Sequence, residues 1–264
     1  MSEKFQPGGL IKCLRVMALL PFILIHLIAS DLTLRLLIAT GSHRHRYAFI
    51  SHAVRSMTYL LSVGLNWKFK LDPRLAQLAG QPSCTIVVAN HHSPLDIYVL
   101  MHALAANPPH FICRPGLERG LPFISLYVRH ACAVLTGEPE RNDALISLLG
   151  KRVAASNGVA ILFPEGRKNA KNYAPILPFM PSGLDKLVAA APDARVVAVA
   201  IKGTHAAWPG PWKLPKPGAV IEVLIADPVQ TDLAKHTQLA RQCETAIRRT
   251  LASAAANVPR AEAP

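Results

Sequence analysis

A histidine followed five residues later by an aspartate is the first pair able to do chemistry. His91 and Asp96 lie in Asn90-His91-His92-Ser93-Pro94-Leu95-Asp96, directly after the apolar run Thr85–Ala89. That run is expected to be a strand leading into a helix. Ser93 then takes the N-cap, Pro94 the first helical position and Asp96 the third, close to a capping box. A side chain at the third position folds back toward the residues ahead of the cap, which brings the Asp96 carboxylate toward the His91 ring. A carboxylate on one imidazole nitrogen fixes the tautomer and leaves the other nitrogen basic. Such a pair can take a proton from a hydroxyl near neutral pH. His91 also stands at the carboxyl end of a strand, where open α/β sheets hold ligands. The same geometry suits a plain helix cap, and residue chemistry alone does not choose between cap and base.

A second group follows the apolar run Val159–Phe163. It is Glu165-Gly166-Arg167-Lys168, with Lys171 close behind. A glycine lets the backbone approach a ligand, and three cations in five residues suit a phosphate. The competing expectation is a solvated basic turn. Glu165 is expected to order these cations or to bind an acceptor hydroxyl. Arg114, Arg119 and Arg141 are further cation candidates. His102, His110, His130, His205 and His236 have no carboxylate at an informative spacing and read as helix or loop residues. His92 adjoins His91 but points elsewhere.

Together the two groups resemble the glycerolipid acyltransferases, which include the lysophosphatidic acid acyltransferases. Asn90–Asp96 is similar to that family's His-x4-Asp motif. Phe163-Pro164-Glu165-Gly166, some 70 residues on, resembles its Phe-Pro-Glu-Gly motif in type, order and separation. Phe111–Gly137 resembles the intervening basic region, and Val196–Thr204 the late strand that closes the site, so the likeness runs from about Leu78 to Val229. The chain departs from the pattern in three places. Arg141 is the nearest arginine after Thr136-Gly137, Arg167-Lys168 replace the usual Thr-Arg, and Ala198 stands at a customary proline. These differences bear on the acceptor head group more than on the reaction.

The resemblance implies a membrane-bound O-acyltransferase. Its donor would be acyl-CoA or acyl-carrier protein, and its acceptor the free hydroxyl of a lysophospholipid, foremost 1-acylglycerol-3-phosphate. His91 would be the base and Asp96 the stabiliser of the imidazolium. Glu165, Gly166, Arg167, Lys168, Arg114 and Arg141 would bind substrate. No metal and no bound cofactor are implied. A different lysolipid, such as a lyso-aminolipid, and a non-enzymatic membrane module are the alternatives.

The elements that must carry these residues read as α/β. Strands are expected at Thr85–Ala89, Phe111–Cys113, Ala133–Thr136, Val159–Phe163, Val196–Ile201 and Val220–Ile225. Helices are expected at Pro94–Ala106, Pro122–Arg129, Asp143–Ser156, Gly183–Ala191 and Asp232–Ala255, the last capped by Thr231. Alternation of this kind predicts a mostly parallel sheet flanked by helices. Trp208 and Trp212 sit in a proline-rich loop that packs on lipid or closes the sheet. The five cysteines, Cys13, Cys84, Cys113, Cys132 and Cys243, are odd in number and lack a C-x-x-C, so zinc ribbons and disulfide frameworks are disfavoured. Buried reduced thiols at Cys84 and Cys113 suit a reducing compartment. P-loop, dinucleotide, nucleophile-elbow and zincin signatures are absent from the sequence.

Ahead of this domain, Val16–Ser30 is a 15-residue apolar stretch with Lys4, Lys12 and Arg15 before it and Arg35, Arg44, Arg46 and Arg55 after it. It is short of the roughly 20 residues of a clean span, and both flanks are basic. A re-entrant or interfacial hairpin reconciles the flanks by placing both ends on one anionic face. A single span and a buried helix remain alternatives. Tyr47–Leu65 reads as an amphipathic helix. The expected organisation is a membrane-associated helical hairpin at 1–66, an α/β acyltransferase domain at 67–257 and an unstructured tail at 258–264. The expected location is the inner membrane, with the catalytic domain on the cytoplasmic side. With 29 basic against 16 acidic residues, the net charge of +13 calls for an anionic partner. Anionic lipid fits, whereas nucleic acid does not, because no helix-turn-helix, RNP or zinc pattern accompanies the charge.

Overall fold

The computed structural model describes residues 7–78, 84–104, 109–136, 138–166, 176–210, 213–226 and 236–256. Arg167, Lys168, Lys171, Trp212, Thr231, Asp232 and the tail at 258–264 lie outside them. Two helices come first, α1 (Pro7–Ala39) and α2 (His43–Leu65). Then follow β1 (Lys68–Leu71), α3 (Arg74–Leu78), β2 (Thr85–Ala89), α4 (Leu95–Ala103), β3 (His110–Cys113), α5 (Ile124–Ala131), β4 (Ala133–Val134) and α6 (Pro139–Ala155). The chain continues through β5 (Val159–Leu162), α7 (Ser182–Ala190), β6 (Arg195–Lys202), α8 (Thr204–Ala207), β7 (Val220–Ile225) and α9 (His236–Ala256).

The described strands form one sheet in the order β1-β7-β6-β2-β5-β3-β4. Every neighbouring pair is parallel except β6 and β7. The central strands are continuous apolar runs rich in Val and Ile, the composition expected where both faces are covered. Alternation assigns each residue a side. Val87, Ala89, Val197, Val199 and Ile201 join a core with α4, α5 and the two N-terminal helices. Ile86, Val88, Val196, Ala198 and Ala200 join a second core with α6, α7 and α9.

The expected apolar stretch does not turn back on itself. It lies within one 33-residue helix, α1, and the reversal comes at 40–42, so α1 and α2 are the two legs of the hairpin. The reason is compositional: Leu32–Ala39 extends the apolar helix past Asp31 and Arg35, which pair with each other at 2.6 Å. Asp31 also accepts the Phe123 N–H at 2.8 Å, tying α1 to the start of α5. One side of α1 stays uncovered, with Phe22, Ile25, Leu32 and Leu36 more than 60% exposed.

Candidate active site

Parallel pairing explains how motifs 70 residues apart meet. Val88 of β2 is level with Leu162 of β5, so His91 and Glu165 each follow three residues beyond the same rung. Strand β3 flanks β5 on the other side, with Phe111 level with Ile161, which brings Arg114 to the same edge. The candidate residues therefore gather at the carboxyl ends of three adjacent strands, the usual ligand edge of an open parallel sheet.

Asp96 is fully buried and makes both the capping contact and the His91 contact expected of it. Its Oδ2 accepts the backbone N–H of His92 at 2.6 Å and of Ser93 at 2.7 Å, and lies 2.9 Å from Nδ1 of His91. Helix α4 begins at Leu95, one residue later than expected, and Ser93 Oγ accepts the Leu95 N–H at 3.1 Å. The carboxylate on Nδ1 assigns the proton to that nitrogen and leaves Nε2 as the basic position. The ring is 13% exposed and stacks on Phe163 at a centroid separation of 4.3 Å and an interplanar angle of 21°. Phe163 thus fixes the plane of the imidazole, a contact that the motif's spelling did not disclose.

Asn90 is another residue whose part was not visible beforehand. Its buried amide donates to the Ile201 carbonyl at 2.9 Å and accepts the Ile201 N–H at 2.7 Å. This fork fastens the end of β2 to β6 one residue before His91. Ser93 Oγ donates to the Trp208 carbonyl at 2.5 Å, which holds the loop after α8 against the same turn.

Glu165 is buried, and both of its oxygens are engaged by main chain. Oε1 accepts the His91 N–H at 2.7 Å and Oε2 the Leu177 N–H at 2.8 Å. It braces the backbone on either side, while the neighbouring cations it was expected to order lie outside the described residues. Burial pushes its carboxyl above the usual range, against the downward pull of those two N–H donors. Gly166 has φ +64°, a left-handed conformation that favours glycine, and an added Cβ would meet only the movable methyl of Met180. Arg114 donates to the Gly166 carbonyl. Arg114, Glu165, Gly166, Leu177, Pro178 and Met180 line a pocket of about 340 Å³.

Arg141 and Arg119 do not line that pocket. Arg141 is exposed on the first turn of α6, beyond the edge strand β4, and Arg119 is exposed beside Glu118 at 3.5 Å. Cys84, Cys113, Cys132 and Cys243 are free thiols. No group of three or more His, Cys, Asp or Glu suited to a metal occurs among the described residues.

Residues 78–202 match the family model named Acyltransferase, a span that contains both motifs and the three strands behind them. No functionally curated protein matches the sequence at a significant level. Among solved structures, the chain is similar to the crystal structure of the 1-acyl-sn-glycerophosphate (LPA) acyltransferase PlsC from Thermotoga maritima. The TM-score is 0.75 at 17% identity, covering 96% of this chain and 99% of that one. The sheet with its flanking helices and long apolar N-terminal helix is a PlsC-like fold. Residues 78–202 thus form an acyltransferase domain, and within it a histidine and a carboxylate meet at the sheet edge, which makes the chain an acyltransferase enzyme.

Proposed function

We propose that this acyltransferase esterifies the free hydroxyl of 1-acylglycerol-3-phosphate to give phosphatidic acid, with acyl-CoA or acyl-carrier protein as donor. The observation that carries the proposal is the Asp96–His91 contact beside a pocket lined by Arg114. His91 Nε2 takes the hydroxyl proton as the oxygen attacks the thioester carbonyl. The carbon–sulfur bond breaks, the thiolate leaves, and the proton passes from His91 to the sulfur. Asp96 stabilises the imidazolium between these events, and backbone amides or a nearby cation hold the oxyanion. Arg114, already fixed against Gly166, supplies positive charge for the acceptor phosphate, and Arg167 and Lys168 are proposed to add to it. No acyl-enzyme and no bound cofactor enter the sequence of steps.

Attachment to an anionic membrane belongs to the same proposal. Leu14–Ala39 contains an 18-residue window with a mean hydropathy of 2.0 and is long and apolar enough to cross a bilayer. The uncovered apolar side of α1 and the net charge of +13 support an anionic bilayer as its surroundings. The catalytic domain then faces the cytoplasm at the inner membrane.

Purified protein with labelled lysophosphatidic acid and acyl-CoA tests the chemistry. His91→Ala is expected to lower turnover by at least about 100-fold, the usual cost of losing a general base. Near wild-type turnover of that variant overturns the mechanism. Equal use of an uncharged lysolipid by the wild type overturns the phosphate acceptor while leaving the acyltransferase in place.

A further inference from the structure

The pocket wall formed by Ile176–Met180 has no secondary structure of its own. Its backbone groups find their partners far away in sequence. Leu177 N–H goes to Glu165 and Met180 N–H to the Pro164 carbonyl, each at 2.8 Å. The remaining two ties come from α9. Glu244 Oε2 accepts the Phe179 N–H at 2.9 Å, and Arg248 Nη2 donates to the Ile176 carbonyl at 3.1 Å. Glu244 and Arg248 are one turn apart and hold each other, with Oε1 accepting Nη2 at 2.8 Å and Nε at 3.0 Å. Ile176 and Phe179 are buried in the core that α9 completes, while Leu177, Pro178 and Met180 face the pocket.

From this arrangement we infer that Glu244 and Arg248 are positioning residues for the acceptor pocket. They touch no substrate. A single ion pair on the last helix seizes the wall by one N–H and one C=O, with Glu165 and Pro164 gripping it from the opposite side. Because Glu165 also holds the His91 N–H, the wall and the turn bearing the base share one brace. The residues lie outside the segment that matches the family model, and neither motif points to them. The inference rests on the proposed acceptor only for its kinetic part.

Hydrogen–deuterium exchange and steady-state kinetics on the full-length protein test it together. In Glu244→Ala and Arg248→Ala, exchange across 176–180 is expected to rise while exchange across 85–90 stays at the wild-type level. KM for lysophosphatidic acid is expected to rise on the order of fivefold to tenfold, the weight of one lost hydrogen bond. The kcat and the KM for acyl-CoA are expected to change less than about twofold. Glu244→Gln retains a carbonyl for Phe179 and is expected to recover much of the acceptor KM. Arg241→Ala, on an exposed position of the same helix, is expected to change nothing. Unchanged exchange at 176–180 overturns the clamp, as does an equal loss for donor and acceptor. Should the wild type fail to acylate lysophosphatidic acid, the acceptor assignment falls, and the exchange result alone decides whether the clamp stands.

Discussion

Glu165 is a carboxylate held in place by two N–H donors and raised in pKa by burial, and those facts set a sign. Between the ordinary carboxylate value and its raised one, the folded protein keeps a proton that the unfolded chain has released. Stability therefore falls as pH rises through that window, which starts near about 4. Glu165→Gln has nothing to titrate there. Its amide can meet only one of the two N–H groups, so the variant is expected to lose about 1–3 kcal/mol. In urea unfolding across a pH series, the wild-type advantage over Glu165→Gln should shrink as pH rises; an advantage that grows contradicts the assignment. Asn90→Ala is the companion test. It leaves a buried donor and acceptor on Ile201 without partners, at about 1–3 kcal/mol each. It also frees the residue before His91, and kcat is expected to fall about 10–100-fold while the acceptor KM holds, measured on protein shown to be folded by circular dichroism.

At the scale of elements, α1 makes the sharpest demand on its surroundings. Ile25 and Leu32 are 65% and 62% exposed on its uncovered side. Ile25→Glu with Leu32→Glu is expected to move the protein from the membrane to the soluble fraction and leave its thermal unfolding within a few degrees. Retention of the double variant on carbonate-washed membranes rules out this face as the anchor. The elements also show what a sequence discloses. The central strands were legible because fully buried strands are unbroken apolar runs, and β2 and β7 begin and end where expected. Strand β1, Lys-Phe-Lys-Leu, was missed because an edge strand alternates charge with apolar residues over only four positions. Helices α3 and α8 were missed because one turn carries no periodicity. His91 and Asp96 were legible because five residues and a capping pattern nearly fix their geometry. Arg141, chosen for its closeness in sequence, does not line the pocket, since the short β4 carries the chain to the sheet edge before that residue. Glu244 and Arg248 had no local signal, because their partners are backbone groups 65 and 72 residues away.

Across the whole molecule, charge and apolar surface act on different ranges. In the proposed attachment, a net charge of +13 would draw the protein to anionic bilayers, and that attraction weakens as salt shortens the screening length. The apolar side of α1 is indifferent to salt. Binding to vesicles with anionic lipid is therefore expected to weaken between about 0.1 M and 1 M salt without vanishing; complete release at high salt contradicts the apolar contribution. The two cores make a second global statement. Burial pushes the Cys243 thiol up to about 12, and the side chain is sealed between α9 and the sheet. Its alkylation at neutral pH should follow global unfolding, so a rate that ignores stabilising additives would show that α9 opens by itself.

Strand β1 follows α2 directly, yet its partner in the sheet is β7, with Lys68 level with Val220. During synthesis the helical pair and β1 leave the ribosome while the strand that receives β1 is still untranslated. At roughly 5–20 residues per second, the gap lasts about 8–30 seconds. For that interval a nascent chain whose apolar helix is already available to lipid trails an unpaired strand edge. Closing that edge joins the earliest and latest parts of the sheet, a contact of high sequence separation and correspondingly slow formation. With α1 seated in a bilayer as proposed, delivery to that bilayer would precede completion of the fold and make the lipid part of the folding environment.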